Sequence, residues 1–424
     1  MIETQQTPAL TPEDLGVPTC RFCAGPLRDT FVDLGMSPLC ESYVPADRAN
    51  AEEVFYPLHA RVCESCLLVQ LEEFVTAEHI FSEYAYFSSY SDSWVAHAHD
   101  YVEMAVRRFE LNSDSLVIEL ASNDGYLLQH VVARGIPALG IEPAANVADA
   151  ARERGIDTIV EFFGRELGAR LADAGRRADL LVANNVMAHV PDLNDFVGGM
   201  EPLLAPGGVV TVEVPHLLRL VEHNQFDTIY HEHFSYFSLL TASKVFAAHG
   251  LEVFDVEELK SHGGSLRYFA QRAGEQKHPV SERVEALAER ERAAGFDTLE
   301  GHRGFAARVM ETKWKLLEFL IARRREGKRI AGYGAPGKGN TLLNYCGIRT
   351  DLLDFTVDRN PYKQGMYLPG THIPIRHPDA LDQARPDYIL ILPWNLKDEI
   401  VAQLAHAREW GAKFVVPIPE VEVL

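Results

Sequence analysis

Apolar and polar positions change rhythm twice along the 424-residue chain. Residues from about 15 to 75 show little helical periodicity. From about 76 to 275 two patterns alternate: helical spacing in "SWVAHAHDYVEMAVRRF", and short apolar runs in "SLVIEL", "PALGIEP", "ADLLVANNVM" and "GGVVTVEVP". Strands alternating with helices at this spacing predict a mostly parallel, doubly wound sheet. The charged, Ala-rich stretch from "SERVEALAERERAAG" to "TKWKLLEFLIARRREGKR" predicts helix. Strand runs return over about 328–424 in "RIAGYG", "LLDFTVD", "DYILILPW" and "AKFVVPIP". The expectation is an α/β protein in three consecutive parts: an N-terminal subdomain over 1–75, a Rossmann-like domain over 76–275, and a helical linker with a second Rossmann-like domain over 276–424.

Composition narrows the partners. Forty basic against sixty-one acidic residues give a formal charge of −21, which opposes a non-specific hold on phosphate backbones or anionic lipid, so no nucleic-acid or membrane partner is expected. The first residues carry neither a basic n-region nor an apolar h-region. No run approaches the roughly 18 apolar residues of a membrane span. A cytoplasmic protein is expected, and in a reducing compartment six cysteines read as ligands or core residues.

Five of the six cysteines fall in the first part. "CRFC" (Cys20, Cys23) and "CESC" (Cys63, Cys66) are two C-x-x-C knuckles with 39 residues between them. Each knuckle turns two thiolates to one side, and two knuckles close a tetrahedral S4 site suited to zinc. Four cysteines leave no open coordination position, so the metal is expected to be structural. Cys40 and Cys346 sit in apolar contexts and read as small core residues.

Three further stretches carry candidate chemistry. In "VIELASNDGYLLQHV" a strand turns through Ala121, Asn123, Asp124 and Gly125 into a helix, and the next strand ends in "GIEP" at Glu142. A small-residue turn at a helix start, followed by an acidic strand end, suits an adenosine-containing ligand. Glu142 as a mere helix cap is the plainer alternative. In "TIYHEHFSYFSL", Tyr230, His231, Glu232 and His233 precede three aromatics. The run fits an acid/base centre, a metal site through His231 and His233, or an inert loop, and it lacks the H-E-x-x-H signature. "GYGAPGKGN" holds G-x-G-x-x-G over Gly332, Gly334 and Gly337, with Asp358 ending the next strand. Alone this suggests NAD. The adjacent Lys338 favours a diphosphate, and a vestigial half used only for packing is the plain alternative.

Taken in order, "ELASNDGYLL", "NNVMAHVPDLNDF", "PGGVVTVEVPHL", "YHEHFSYFS", "HGGSLRYF", "GYGAPGKGN" and "VDRNPYKQGMYLPGTHIPI", with the twin knuckles, resemble the nucleotide-sugar C-methyltransferases of deoxysugar and antibiotic biosynthesis. The resemblance covers nearly the whole chain. It implies an N-terminal zinc-binding subdomain, a Rossmann-like S-adenosylmethionine (SAM) methyltransferase domain and a Rossmann-like nucleotide-sugar domain. It also implies C-methylation of a dTDP-4-keto-6-deoxysugar α to the C4 ketone, at C3 in preference to C5, with the substrate in the cleft between the α/β halves. His233 is implied as the base, with Tyr230, Glu232, His189 and Tyr84 around the sugar. Cofactor contacts are implied at Glu119, Ser122, Asn123, Asp124, Gly125, Glu142 and Asn184, and substrate contacts at Arg267, Gly337, Lys338, Asn340, Asp358 and Lys363. Ala121 departs from the family, which usually has Gly in that turn. The alternatives are an NAD-dependent nucleotide-sugar oxidoreductase and a non-enzymatic, zinc-containing nucleotide-sugar binding module.

Overall fold

The computed structural model describes residues 16–76 and 88–424, so Tyr84 lies outside the described residues. By contact the chain forms two compact units, each assembled from separate stretches. The first comprises residues up to 28, 63–216 and 232–299; the second comprises 29–62, 217–231 and 300–424. Consecutive segments read from the sequence are a division by pattern, and these units are a division by packing.

The chain opens with β1 (Asp29–Ser37) and β2 (Tyr56–Val62), an antiparallel hairpin of the second unit. Phe31 on β1 is buried and stacks on Phe305 with ring centroids 4.7 Å apart. The short β3 (Val69–Gln70) belongs to the first unit.

Seven strands form the first unit's main sheet: β4 (Val117–Leu120), β5 (Ala138–Ile141), β6 (Thr158–Ile159), β7 (Ala178–Asn184), β8 (Leu204–Pro215) and, after the two-residue β9 (Ser235–Tyr236), β10 (Leu251–Leu259) and β11 (Ser265–Arg272). Their spatial order is β10-β11-β8-β7-β4-β5-β6. The pairs from β8 to β6 are parallel, and every residue of β4 is buried, which is why its sequence does not alternate. β11 runs antiparallel to both neighbours. The five residues between β10 and β11, ending in Gly263 and Gly264 with φ of 88° and 126°, form a tight turn, and a parallel pair would need a long crossover.

The helix Asp92–Phe109 starts where the Ser91 hydroxyl accepts from Trp94 N, and ends at Glu110 in left-handed backbone. Ala98, Tyr101, Val102 and Ala105, at one helical face, pack with Leu127, Leu128 and Val131 in the core beside β4.

The second unit's sheet runs β14 (Ile375–Arg376), β13 (Thr356–Val357), β12 (Ile330–Tyr333), β15 (Tyr388–Ile391), β16 (Lys413–Val416) and β17 (Glu422–Val423). Only the last pairing is antiparallel. The linking region is helical over Glu282–Ala293 and Phe305–Arg325. Among the described residues, no helix is long and apolar enough to cross a membrane.

Candidate active site

Strand order reverses at β4, between β5 and β7, and a ligand crevice belongs beyond the carboxyl ends of strands at such a point. The turn leaving β4 is tight. Ala121 and Asn123 take φ of 53° and 51°, and Gly125 takes 77°. Asn tolerates this backbone, whereas Ala121 is strained where a glycine would not be. A Cβ on Gly125 would come within 2.2 Å of Ile156 Cδ1. The Glu142 carboxylate braces the turn by accepting from Asn123 N and Ala144 N, each at 2.9 Å. Its oxygens thus do the capping work, and each keeps a second lone pair for a ribose hydroxyl. Ser88 N donates to Asn123 Oδ1 at 2.9 Å, and the Ser89 hydroxyl donates to Asp124 Oδ2 at 2.5 Å.

Four buried oxygens around this turn have no hydrogen-bond partner among the described residues: Glu119 Oε2, Ser122 Oγ, Asp124 Oδ1 and Asn184 Oδ1. Native interiors seldom leave buried acceptors unpaired. Burial pushes the Glu119 carboxyl well above the usual range, and the charges of Glu142 and Asp124 add to it. A cationic ligand rich in donors repairs both defects. S-adenosylmethionine, with its sulfonium, ammonium and ribose hydroxyls, fits that demand.

The second element is a pair of imidazoles. His189 closes the turn Met187–His189 beyond β7, and His233 lies just before β9. Phe234 N donates to Ala188 O at 2.8 Å, Leu71 N donates to Phe234 O at 3.0 Å, and β9 pairs with β3. These bonds set the His189 and His233 rings edge to face with centroids 4.6 Å apart, and Tyr236 stands 6.3 Å from His233. His233 is buried. Residues 231–232 form a turn and 233 is irregular, so the strand geometry needed for His231 and His233 to share a face is absent here. The chain passes from the second unit to the first between His231 and Glu232. His231 is buried, its Nε2 lies 3.2 Å from Pro57 O, and burial lowers its pKa. Tyr236 was not singled out from the sequence for a role at this site, because only the β3–β9 register brings its ring beside His233.

Cys20, Cys23, Cys63 and Cys66 place their sulfurs within 4.8 Å of one another, with Cys20–Cys66 at 3.6 Å and Cys23–Cys63 at 3.4 Å. A tetrahedral zinc with Zn–S near 2.3 Å separates its sulfurs by about 3.8 Å, so the cluster fits the ion. Each knuckle is followed by a residue in left-handed backbone, Ala24 and Leu67, and Gln70 Nε2 donates to Cys20 Sγ at 3.1 Å. Among the described residues it is the one His/Cys/Asp/Glu cluster with metal-ligating geometry.

Arg267 is buried on β11 directly opposite Glu213 of β8 and Glu257 of β10. It donates to Glu213 at 2.7 Å and to Glu257 at 2.9 Å, and its guanidinium lies over the Tyr101 ring. Burial alone would raise Glu213, yet the hydrogen bond to His97 and the charge of Arg267 hold it down at about 2. The structure therefore gives Arg267 an internal pairing in place of an open phosphate contact.

In the second unit, strand order reverses at β12 between β13 and β15, and a cavity of about 240 Å³ opens there, lined in part by Gly334, Asp358, Arg359 and Lys363. Both Asp358 oxygens accept backbone N–H groups, from Ala335 at 2.7 Å and Asn360 at 2.8 Å. Lys363 donates to Tyr43 Oη at 2.8 Å and to Ala335 O at 3.0 Å. Gly337, Lys338 and Asn340 do not line this cavity. Lys338 donates to Asn395 Oδ1 at 2.9 Å, and buried Asn340 donates to Cys40 O at 2.6 Å. Arg359 went unremarked in the sequence because no local motif marks it.

A doubly wound sheet with one antiparallel strand, carrying a turn of unpaired acceptors and a braced acidic strand end, defines a SAM-dependent methyltransferase. Family models agree: a zinc binding domain matches residues 20–81, a methyltransferase domain 94–256, and a C-methyltransferase C-terminal domain 260–419. C-methyltransferase NovU of Streptomyces niveus is 36% identical over 405 residues, spanning 96% of each chain. The chain belongs to this C-methyltransferase family; it is a SAM-dependent C-methyltransferase with a four-cysteine zinc site, and the oxidoreductase and purely binding alternatives give way to that. A ubiquinone biosynthesis O-methyltransferase of Rhodopseudomonas palustris is 26% identical over 117 residues, 26% of this chain and 46% of its own. The magnesium protoporphyrin IX methyltransferase of Synechocystis PCC 6803, solved with bound SAM, is 13% identical, covers 43% of this chain and 82% of its own, and has a TM-score of 0.32.

Proposed function

We propose that the protein methylates a ring carbon α to the C4 ketone of a dTDP-linked 4-keto-6-deoxysugar, C3 in preference to C5. The observation that carries this reading is the edge-to-face pair of half-buried His189 and buried His233, held by Phe234 N to Ala188 O in the same unit as the cofactor turn. A carbon beside a ketone becomes nucleophilic once its proton is removed, and imidazole is the side chain suited to removing it near neutral pH. His233 takes that proton, and His189 or Tyr230 donates to the oxygen on which negative charge collects. Glu232 contacts the sugar. SAM, when bound, supplies the methyl group to the carbon. In the second unit Lys363 and Arg359 supply cations of the kind a nucleoside diphosphate requires, and Asp358 shapes the crevice through the Ala335 and Asn360 amides.

The test is incubation with methyl-labelled SAM and dTDP-4-keto-6-deoxyglucose in deuterated water, followed by mass analysis of the sugar. One methyl at carbon is expected, its position separating C3 from C5, and His233→Asn should abolish both methyl gain and, in the unmethylated sugar, deuterium uptake at that carbon. Uptake that survives His233→Asn would move the base elsewhere. Neither methyl nor deuterium in the wild type, with SAM bound, would reject this acceptor class.

A further inference from the structure

Between the zinc ligands Cys20 and Cys23 stands Arg21, whose contacts lead away from the metal. Its backbone N donates to Gln70 Oε1 at 2.9 Å, and Gln70 in turn donates to Cys20 Sγ. Its guanidinium reaches three places. Nη1 donates to Pro191 O at 2.7 Å, Nη2 donates to Leu71 O, and Cζ lies 5.2 Å from the centre of the Phe234 ring. Pro191 is two residues past His189, and Phe234 is the neighbour of His233. Leu71 closes the circuit by donating its own N–H to Phe234 O at 3.0 Å. From the opposite side Asn194 Nδ2 donates to the carbonyls of Arg21 and Phe22, at 3.2 and 2.9 Å. All of these residues lie in the first unit.

His189 ends a single 3-10 turn and His233 sits in irregular backbone, so neither has a sheet ladder to fix its position. A planar fork that bonds two carbonyls and stacks on a ring can hold two such loops at once, which a lysine ammonium does not reproduce. We propose that Arg21 is a positioning residue: seated by the zinc knuckle, it sets the spacing of the His189 loop and the His233 segment, so that zinc occupancy governs the imidazole pair. The inference rests on the assignment of His233 as the base. It makes zinc a remote determinant of proton abstraction, where closed coordination alone would leave it a fastener of the N-terminal subdomain.

The experiment compares Arg21→Met and Arg21→Lys with wild type as full-length, zinc-loaded protein. Zinc content, SAM affinity, kcat and KM, deuterium wash-in at the sugar carbon and the ring NMR signals of His189 and His233 are measured. Zinc and SAM binding should be unchanged in both variants. In Arg21→Met, kcat and wash-in should fall together by about tenfold or more, toward the roughly 100-fold that a 1 Å misplacement costs. Both ring signals should move, sugar KM should stay close to wild type, and Arg21→Lys should recover part of the loss. Wild-type wash-in with unmoved ring signals in zinc-loaded Arg21→Met would overturn the proposal. So would zinc loss in step with activity in both variants, since Arg21 would then serve the metal site alone. His233→Asn is run alongside: retained wash-in there rejects the base assignment, and the ring signals of Arg21→Met then decide the positioning role by themselves.

Discussion

The molecule carries two strand-to-helix turns at two topological switch points, and the one with the poorer glycine motif is the better prepared for a ligand. The turn after β12 has the full G-x-G-x-x-G spacing, and its acidic partner Asp358, like Glu142, accepts two backbone amides, but Asn340, whose Oδ1 alone is left unpaired there among the described residues, is turned into packing against Cys40. The turn after β4 has Ala121 where a glycine would sit comfortably, but it is ringed by four unpaired buried oxygens. Glycine spacing reports that a backbone can bend sharply; unsatisfied acceptors report what the bend awaits.

Swapping the braces of the two turns should give the largest contrast. Glu142→Ala releases two backbone N–H groups from a carboxylate, and SAM affinity should drop by about 100-fold, or about 3 kcal/mol. Asp358→Ala should leave SAM affinity unchanged while weakening dTDP binding. Calorimetry with both ligands reads this, and equal loss of SAM binding in the two variants would erase the distinction between the turns.

Buried carboxyls offer a second contrast. Burial raises Asp227, in the second unit, to about 6. A carboxyl raised on folding contributes fully below its unfolded pKa and loses that contribution as pH rises through its folded one. Asp227→Asn should therefore stabilise the protein by about 2–3 kcal/mol above pH 6, with the gain vanishing below about pH 4. Glu119 is raised too, by burial first, so Glu119→Gln should likewise raise the melting temperature of the ligand-free protein at neutral pH. Only Glu119→Gln should weaken SAM binding at the same time. Melting curves at pH 4 and 7.5, with and without SAM, separate the two, and a pH-independent difference for Asp227→Asn would reject the buried-acid account.

The smallest effect concerns Ala121 itself. Ala121→Gly relieves left-handed strain while adding freedom to the unfolded chain, so a net gain below about 1 kcal/mol is expected. A clear loss in denaturant unfolding would show that the methyl group packs usefully.

Much of this was legible in the chain. C-x-x-C spacing marks the zinc ligands because the chemistry is local, and alternating helices and strands marked the sheets for the same reason. Side-chain partners set by register were not visible. Arg267 looked like a phosphate contact, yet its partners Glu257 and Glu213 meet it only because β10, β11 and β8 lie side by side in one register. Arg21 carries no local signal of its role, since Pro191 and Leu71 are 170 and 50 residues away. Asn340 likewise found its partner 300 residues back, at Cys40.

The discontinuity of the second unit sets a timetable for synthesis. Its hairpin, β1 and β2, leaves the ribosome early, but the stretch carrying Phe305, on which Phe31 stacks, begins at residue 300 and the unit closes only with residue 424. At roughly 5–20 residues per second, the 243 residues from Val62 to Phe305 take about 10–50 s to make. For that interval Phe31 lacks the ring of Phe305 that covers it in the folded unit. Expression of this chain is thus a matter of shielding its oldest strands, and slower elongation lengthens the exposure.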